Sequence, residues 1–346
     1  MIKEEYSPYK AAHHTDRLEK LRAGQTPAPV QMQIDLTNRC NHNCSYCTHR
    51  NPLKRKGTDF SEKDLISTER IIKLISEGKE IGVKAILLLG GGEPLIHPGI
   101  KEIVEHIENL SLEFALVTNG VLINKRNVKI FKNARWIRVS VDAATNETYQ
   151  KVQKTKNSIP IKQIKLIRNT CKKAIIGISF LTKPENYHEA YMTAVMAKKL
   201  GVDNIRYSVV QTLDGKDILE PYYKEYFQML EKTKELEDKK FKVFGLKDRR
   251  EALKNQKDYE TCLYQHFTAV IAANGKVYPC CWTKNFTHFN LGSIYKQSFS
   301  EIWFGKKRAK FIKNMNLKKC PPCWFDEANK FLSYLLKKDP KHVNFV

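Results

Sequence analysis

The chain has 346 residues, 42% of them hydrophobic, and its 60 Lys and Arg against 37 Asp and Glu give a net charge of +23. That length accommodates one large α/β domain with a small appendage, and no apolar run approaches the roughly 20 residues of a membrane-spanning helix. The charge favours anions such as phosphates, nucleic acid, anionic lipid or acidic substrates, but the lysines are spread along the chain (54–56, 172–173, 239–242, 337–338) without a tail or an aromatic-interleaved RNA-binding signature, so charge alone does not make this a nucleic-acid protein.

The first residues carry no apolar signal core, which predicts a cytoplasmic protein. Residues 1–30 read as an extension. Between 31 and 213, apolar runs of strand length alternate with amphipathic stretches, the pattern of βα units around a parallel sheet. Six strands are expected, at 31–37, 84–89, 113–118, 136–141, 174–180 and 204–209, and the count suits an open, partial (βα)6 barrel. A first helix is predicted from Ser61, whose spacing to Asp64 suits a capping box, with Leu65, Ile71, Ile72 and Ile75 on its apolar face. Residues 214–258, rich in Lys and Glu, read as a helical connector. Residues 259–326 form a cysteine-rich module in which Asn274-Gly275 marks a two-residue hairpin, and 327–346 read as a C-terminal helix, either a docking element or one packed on the barrel.

In parallel α/β folds, ligands gather beyond the carboxyl ends of the strands. Cys40, Cys44 and Cys47 follow the first strand, Gly90 to Pro94 the second, Asn119 and Gly120 the third, and Asp142 the fourth. Eight of the nine cysteines fall in two groups that each contain a CxxC spacing, which points to metal binding in a reducing compartment. Three thiolates within eight residues can ligate three irons of one cubane and leave the fourth open. A zinc site is the competing reading; it wants a fourth ligand, for which His42 or His49 could be enlisted.

The segment Cys-Asn-His-Asn-Cys-Ser-Tyr-Cys resembles the signature of the radical S-adenosylmethionine (SAM) superfamily, and Gly90-Gly91-Gly92-Glu93-Pro94 is similar to its glycine-rich motif after the second strand. The resemblance implies a partial (βα)6 radical SAM barrel whose 4Fe-4S cluster binds SAM and cleaves it to a 5′-deoxyadenosyl radical. It also implies that Tyr46 contacts the adenine region, that Gly91, Gly92 and Glu93 receive the SAM amino group, and that Asn119, Ser140 and Asp142 lie in the SAM neighbourhood. Turn and capping chemistry is the alternative for the last three. Arg206 on the sixth strand matches an arginine near SAM or substrate in related enzymes; a surface salt bridge competes with that role.

Cys262, Cys280, Cys320 and Cys323 complete a four-thiolate set, which alone would read as structural zinc. Behind a radical SAM core it resembles the SPASM or twitch extension, with Gly275-Lys-Val-Tyr-Pro-Cys280 as its Gly-x4-Cys segment, and implies one auxiliary 4Fe-4S cluster. Cys281 is open to three readings: a replacement for Cys280, a hydrogen-atom donor to a substrate radical, or a buried spectator. Cys171, alone before the fifth strand, reads as core.

The resulting expectation is a radical SAM enzyme acting on a small-molecule or carbohydrate substrate, possibly anionic, because the 30 residues before the first strand are too few for a peptide-recognition domain. Dehydrogenation with the auxiliary cluster as electron acceptor is the leading reaction; epimerisation through Cys281 and peptide maturation are alternatives, and a noncatalytic iron–sulfur or RNA-binding protein is the remote one. Family resemblance implies reduced flavodoxin or ferredoxin as electron donor.

Overall fold

The fold was described from a computed structural model covering residues 4–47, 57–210, 217–245, 257–320, 323–342 and 344. Six parallel strands stand where the apolar runs predict them: β1 (Gln31–Asp35), β2 (Ala85–Leu89), β3 (Glu113–Thr118), β4 (Trp136–Ser140), β5 (Ile175–Thr182) and β6 (Asn204–Val209). Between and after them come α2 (Thr68–Ile81), α3 (Ile100–Asn109), α4 (Asn146–Gln153), α5 (Ile161–Thr170), α6 (Ala190–Lys199) and α7 (Tyr223–Lys234), while α1 (Thr15–Arg22) precedes the sheet. Alternate residues such as Ile137, Val139, Ile205 and Tyr207 are buried in the main core cluster, so Arg138, Ser140, Arg206 and Ser208 point to the opposite, inner face of the strands.

Three features depart from the expectation. The first helix begins at Thr68, capped by the Ser67 side chain accepting from the Arg70 backbone. Ser61 and Asp64 form a turn before it, in which the Asp64 carboxylate accepts from the Ser61 and Asn38 nitrogens. That diversion of Asp64 into the loop leaves Ser67 as the hydroxyl nearest the helical periodicity. Second, the connector contributes more than helix: after α7 the chain forms a seventh parallel strand, β7 (Lys242–Phe244), paired with β6.

Third, the cysteine-rich segment is woven into the sheet. Its strand β8 (Thr268–Ile271) pairs in parallel with β1, from Gln31 opposite Thr268 to Ile34 opposite Ile271. The turn that follows is one residue longer than the two-residue hairpin expected: Ala272 donates to the Lys276 carbonyl, leaving Ala273, Asn274 and Gly275 in the loop, with Gly275 at φ 74° and its N–H on the Ala272 carbonyl. β9 (Lys276–Tyr278) and β10 (Gly292–Ser293) then continue antiparallel, giving one ten-stranded sheet in the order β10-β9-β8-β1-β2-β3-β4-β5-β6-β7. Beyond it lie α8 (Phe299–Trp303), α9 (Lys306–Lys313) and α10 (Asp326–Leu335). The last is a packed helix: Leu332 is fully buried against Leu18 and Phe267. Among the described residues, no helix is long and apolar enough to cross a membrane.

Candidate metal and cofactor centre

The loop bearing Cys40, Cys44 and Cys47 leaves the end of β1 and is tied down on three sides. Cys44 opens a tight turn in which its carbonyl accepts from the Cys47 N–H, and the His42 N–H approaches the Cys40 sulfur at 3.4 Å. Ser45 donates from backbone and hydroxyl to the Val152 carbonyl at the end of α4, and Lys183, itself buried, donates to the Ser45 oxygen at 2.6 Å. His42 is buried with one ring nitrogen 2.7 Å from the Gln153 amide oxygen and the other 3.4 Å from Asn157. A histidine engaged through both nitrogens braces the loop and is poorly placed to ligate metal. His49, the other histidine of the zinc reading, lies outside the described residues.

The glycine-rich loop docks directly on this stem. Gly92 donates to the Thr37 carbonyl and Glu93 to the Arg39 carbonyl, at 3.0 and 2.8 Å. A methyl group at Gly91 would overlap the Asn38 side chain, and one at Gly92 would overlap the Arg39 carbonyl. The two glycines are therefore needed for the approach of one loop backbone to the other.

The Glu93 carboxylate, buried, accepts from the Thr118 hydroxyl, the Asn119 N–H and the Leu95 N–H at 2.7, 2.8 and 3.1 Å. Burial raises its pKa. Asn119 in turn donates to the Asn41 side chain at 2.7 Å. Loops after β1, β2 and β3 thus form one continuous hydrogen-bonded unit. Tyr46 joins the loop after β4 to it by donating to Asp142, whose other oxygen accepts from the Leu181 N–H at 2.7 Å. Burial pushes the Asp142 carboxyl up to about 6. Gln153 links the same carboxylate and the Ser140 carbonyl to His42. Gln153, Asn41 and Lys183 carried no signal in the sequence, because a hydrogen-bond brace has no characteristic spacing.

Arg206 lies on the inner face of β6, half-buried, with the Tyr6 ring 4.6 Å from its guanidinium carbon, and it makes no ion pair among the described residues. Cys171 is fully buried with its sulfur 3.8 Å from the Val128 carbonyl, a core position.

The other cysteine set surrounds a cavity of about 470 Å³, its open mouth included, lined by Cys262, Cys280, Cys320, Cys323, Tyr264 and Trp282 among others. The Tyr264 ring stacks on Phe325 at 3.9 Å, and the Trp282 backbone N–H reaches toward the Cys280 sulfur at 3.4 Å. Cys281 is not part of that wall. It packs beside the cluster of Val270, Tyr278 and Phe289, and its thiol feels the adjacent Cys280 thiol first and the charges of Lys284 and Asp35 after it.

The donor sets fit clusters better than single ions. The first set offers three thiols on one short loop, and the second offers four thiols lining one cavity large enough for more than a single ion. Burial pushes the Cys44 and Cys262 thiols each up to about 12, so ligation releases their protons.

Known proteins agree with this geometry. Residues 34–197 match the radical SAM superfamily and residues 262–324 match an iron–sulfur cluster-binding domain, SPASM. The chain is 24% identical over 309 residues to the antilisterial bacteriocin subtilosin biosynthesis protein AlbA of Bacillus subtilis, an alignment covering 85% of this chain and 63% of AlbA, so the chain spans less than two thirds of that relative. It is 26% identical over 304 residues to the AdoMet-dependent heme synthase of Methanosarcina barkeri, covering 80% and 83%. Its fold is similar to Streptococcus suis SuiB bound to the precursor peptide SuiA, with TM-score 0.63, 15% identity and coverage of 88% and 71%.

Proposed function

We propose a function from the premise that this chain is a radical SAM protein carrying a SPASM domain: it cleaves SAM reductively and oxidises a peptide substrate by hydrogen-atom abstraction. The observation that carries the reading is the joining of four strand-end loops around Cys40, Cys44 and Cys47 on the same sheet that bears the four-cysteine cavity. Cys40, Cys44 and Cys47 hold the SAM-binding cluster, and Cys262, Cys280, Cys320 and Cys323 hold one auxiliary cluster. When bound, the first supplies the electron that breaks SAM into methionine and a 5′-deoxyadenosyl radical, and the second accepts the electron released on substrate oxidation.

The chain's own residues hold that chemistry in place. Gly91 and Gly92 offer loop carbonyl oxygens to the SAM amino group. Glu93, already accepting three hydrogen bonds, acts by fixing that loop against Asn119. Tyr46 and Asp142 close the adenosine side, with Ser140 and Asn119 beside them. An acidic reduced flavodoxin or ferredoxin suits the net charge of +23 as electron donor.

The peptide substrate is favoured over the small molecule expected from the sequence by the alignment with AlbA across both domains and by the SuiB-like fold. The heme synthase alignment supports the small-molecule reading in second place. Radical epimerisation through Cys281 is favoured by one observation, that Cys281 stands outside the cavity wall on the Asp35 and Lys284 side. It predicts solvent deuterium in the product and no net oxidation.

The test is anaerobic reconstitution with iron and sulfide, comparing wild type with Cys40→Ala and Cys320→Ala. About eight irons per chain, falling to about four in either variant, with 5′-deoxyadenosine formation lost on Cys40 replacement, is the expected result. Fully loaded protein that never forms 5′-deoxyadenosine overturns the proposal.

A further inference from the structure

The inner face of the sheet carries a charge arrangement that the SAM chemistry does not account for. Arg138 on β4 and Arg206 on β6 point into the same space, and at their level β5 between them presents the small residues Gly177 and Ser179. Among the described residues neither guanidinium has a carboxylate partner within 4.0 Å. Instead Tyr6, from the short turn Glu4–Tyr6 at the amino end, sits between them. Its hydroxyl accepts from Arg138 at 2.7 Å, its ring lies 4.6 Å from Arg206, and Phe244 of β7 packs edge-on at 4.3 Å behind it. Trp136 lies 4.8 Å from Arg138 on the other side.

Two half-buried guanidinium groups share one phenol and no carboxylate among the described residues. Burial and the neighbouring Arg138 charge pull the Arg206 guanidinium down to about 10. Asn204, two residues earlier on the same face, is buried with its side-chain oxygen unpartnered. Paired guanidinium forks match the planar or tetrahedral oxygens of a carboxylate or phosphate. The aromatic oxygen of Tyr6 occupies the place such an oxygen would take.

We propose that Arg138 and Arg206 form an oxyanion site on the inner face of the sheet, and that Tyr6 closes it in the free protein and yields to a carboxylate or phosphate group of an incoming ligand. Arg138 is level with Gly177 and Asn204, four residues before Asp142, and Arg206 lies one step nearer the strand ends, level with Ser179 and with Ser140 at the end of β4, so the site runs inward from the SAM neighbourhood. It needs neither cluster loaded, so its failure and that of the radical reading are separable.

The experiment is calorimetric titration of the reconstituted chain with inorganic phosphate and, separately, glutarate. One saturable site per chain is expected for at least one probe, weakened tenfold or more in Arg138→Gln and in Arg206→Gln and strengthened several-fold in Tyr6→Ala, where the competing oxygen is gone. Binding of phosphate alone assigns a phosphorylated ligand, and of glutarate alone a carboxylate. Should a Gln variant fail to fold, Arg206→Lys keeps the charge, loses the fork, and is expected to bind more weakly. Absence of saturable binding in both wild type and Tyr6→Ala overturns the proposal, as does binding that survives the arginine variants or that falls equally in Lys306→Gln/Lys310→Gln on the exposed α9 surface.

Discussion

Lys284, in the loop behind the hairpin, forms an ion pair with Asp35 at the end of β1, and the two side chains are 2% and 1% exposed. Asp35 ends the strand from which the Cys40 loop departs, so this one contact joins the cysteine-rich segment to the first strand. Removing one charge strands the other in the interior. Lys284→Met is expected to destabilise the chain by about 3–5 kcal/mol in denaturant unfolding, and Asp35→Asn combined with it to recover most of that loss. Equal losses in the single and double variants would show that the pairing itself is immaterial.

Gly92 is set apart from most glycines of the chain by what surrounds it. The nearest atoms a side chain there would meet are the Arg39 carbonyl and the Asn38 backbone, neither of which can move without displacing the stem of the Cys40 loop. Gly92→Ala is therefore expected to cost about 1–3 kcal/mol and to lower iron retention at the first site. Gly245→Ala, where an added methyl meets nothing within 4 Å, serves as the neutral comparison. If both variants load iron alike, the close approach of the two loops is not what the glycine serves.

His42 separates bracing from ligation. His42→Leu leaves the Gln153 oxygen without its partner, for an expected cost of about 1–3 kcal/mol, while the iron content at Cys40, Cys44 and Cys47 stays at about four. Loss of metal from folded His42→Leu protein would restore the histidine as a ligand.

His266 gives a pH signature. It is buried beside Arg308, and burial first, then that charge, pulls its pKa down to about 3 from an ordinary 6.5. The unfolded chain takes up a proton below about 6.5 that the folded chain refuses until about 3. Stability is full above 6.5 and falls with acid across that window, by about 1.4 kcal/mol per pH unit at the steepest. His266→Leu should flatten this slope relative to wild type in unfolding measured from pH 7 to pH 5. Parallel slopes would contradict it.

Much of this architecture is legible in the chain because its signals are local. Strand-length apolar runs predict β1 to β6, the Asn274-Gly275 pair predicts the hairpin, and the cysteine spacings predict which sulfurs share a cavity. What escapes is carried by contacts between distant residues. β7 spans only Lys242–Phe244, too short to show a period. β8 reads as half of a hairpin, and nothing within it tells that its other edge belongs to β1, some 237 residues away in register. Tyr6, Arg138, Gln153 and Lys284 are ordinary residues until the fold gives each a partner. Ser61 and Ser67 show the same limit at short range, since either hydroxyl suits a cap and only the loop's tie to Asp64 decides between them.

The parallel pairing of β8 with β1 means that the cysteine-rich segment is not a detachable accessory. Cutting the chain before it would leave β1, the strand that launches the Cys40 loop, with a bare row of peptide donors and acceptors along one side, open to pairing with another copy. A shortened radical core would accordingly tend to aggregate, and the two iron sites have to be inherited, expressed and repaired as one object.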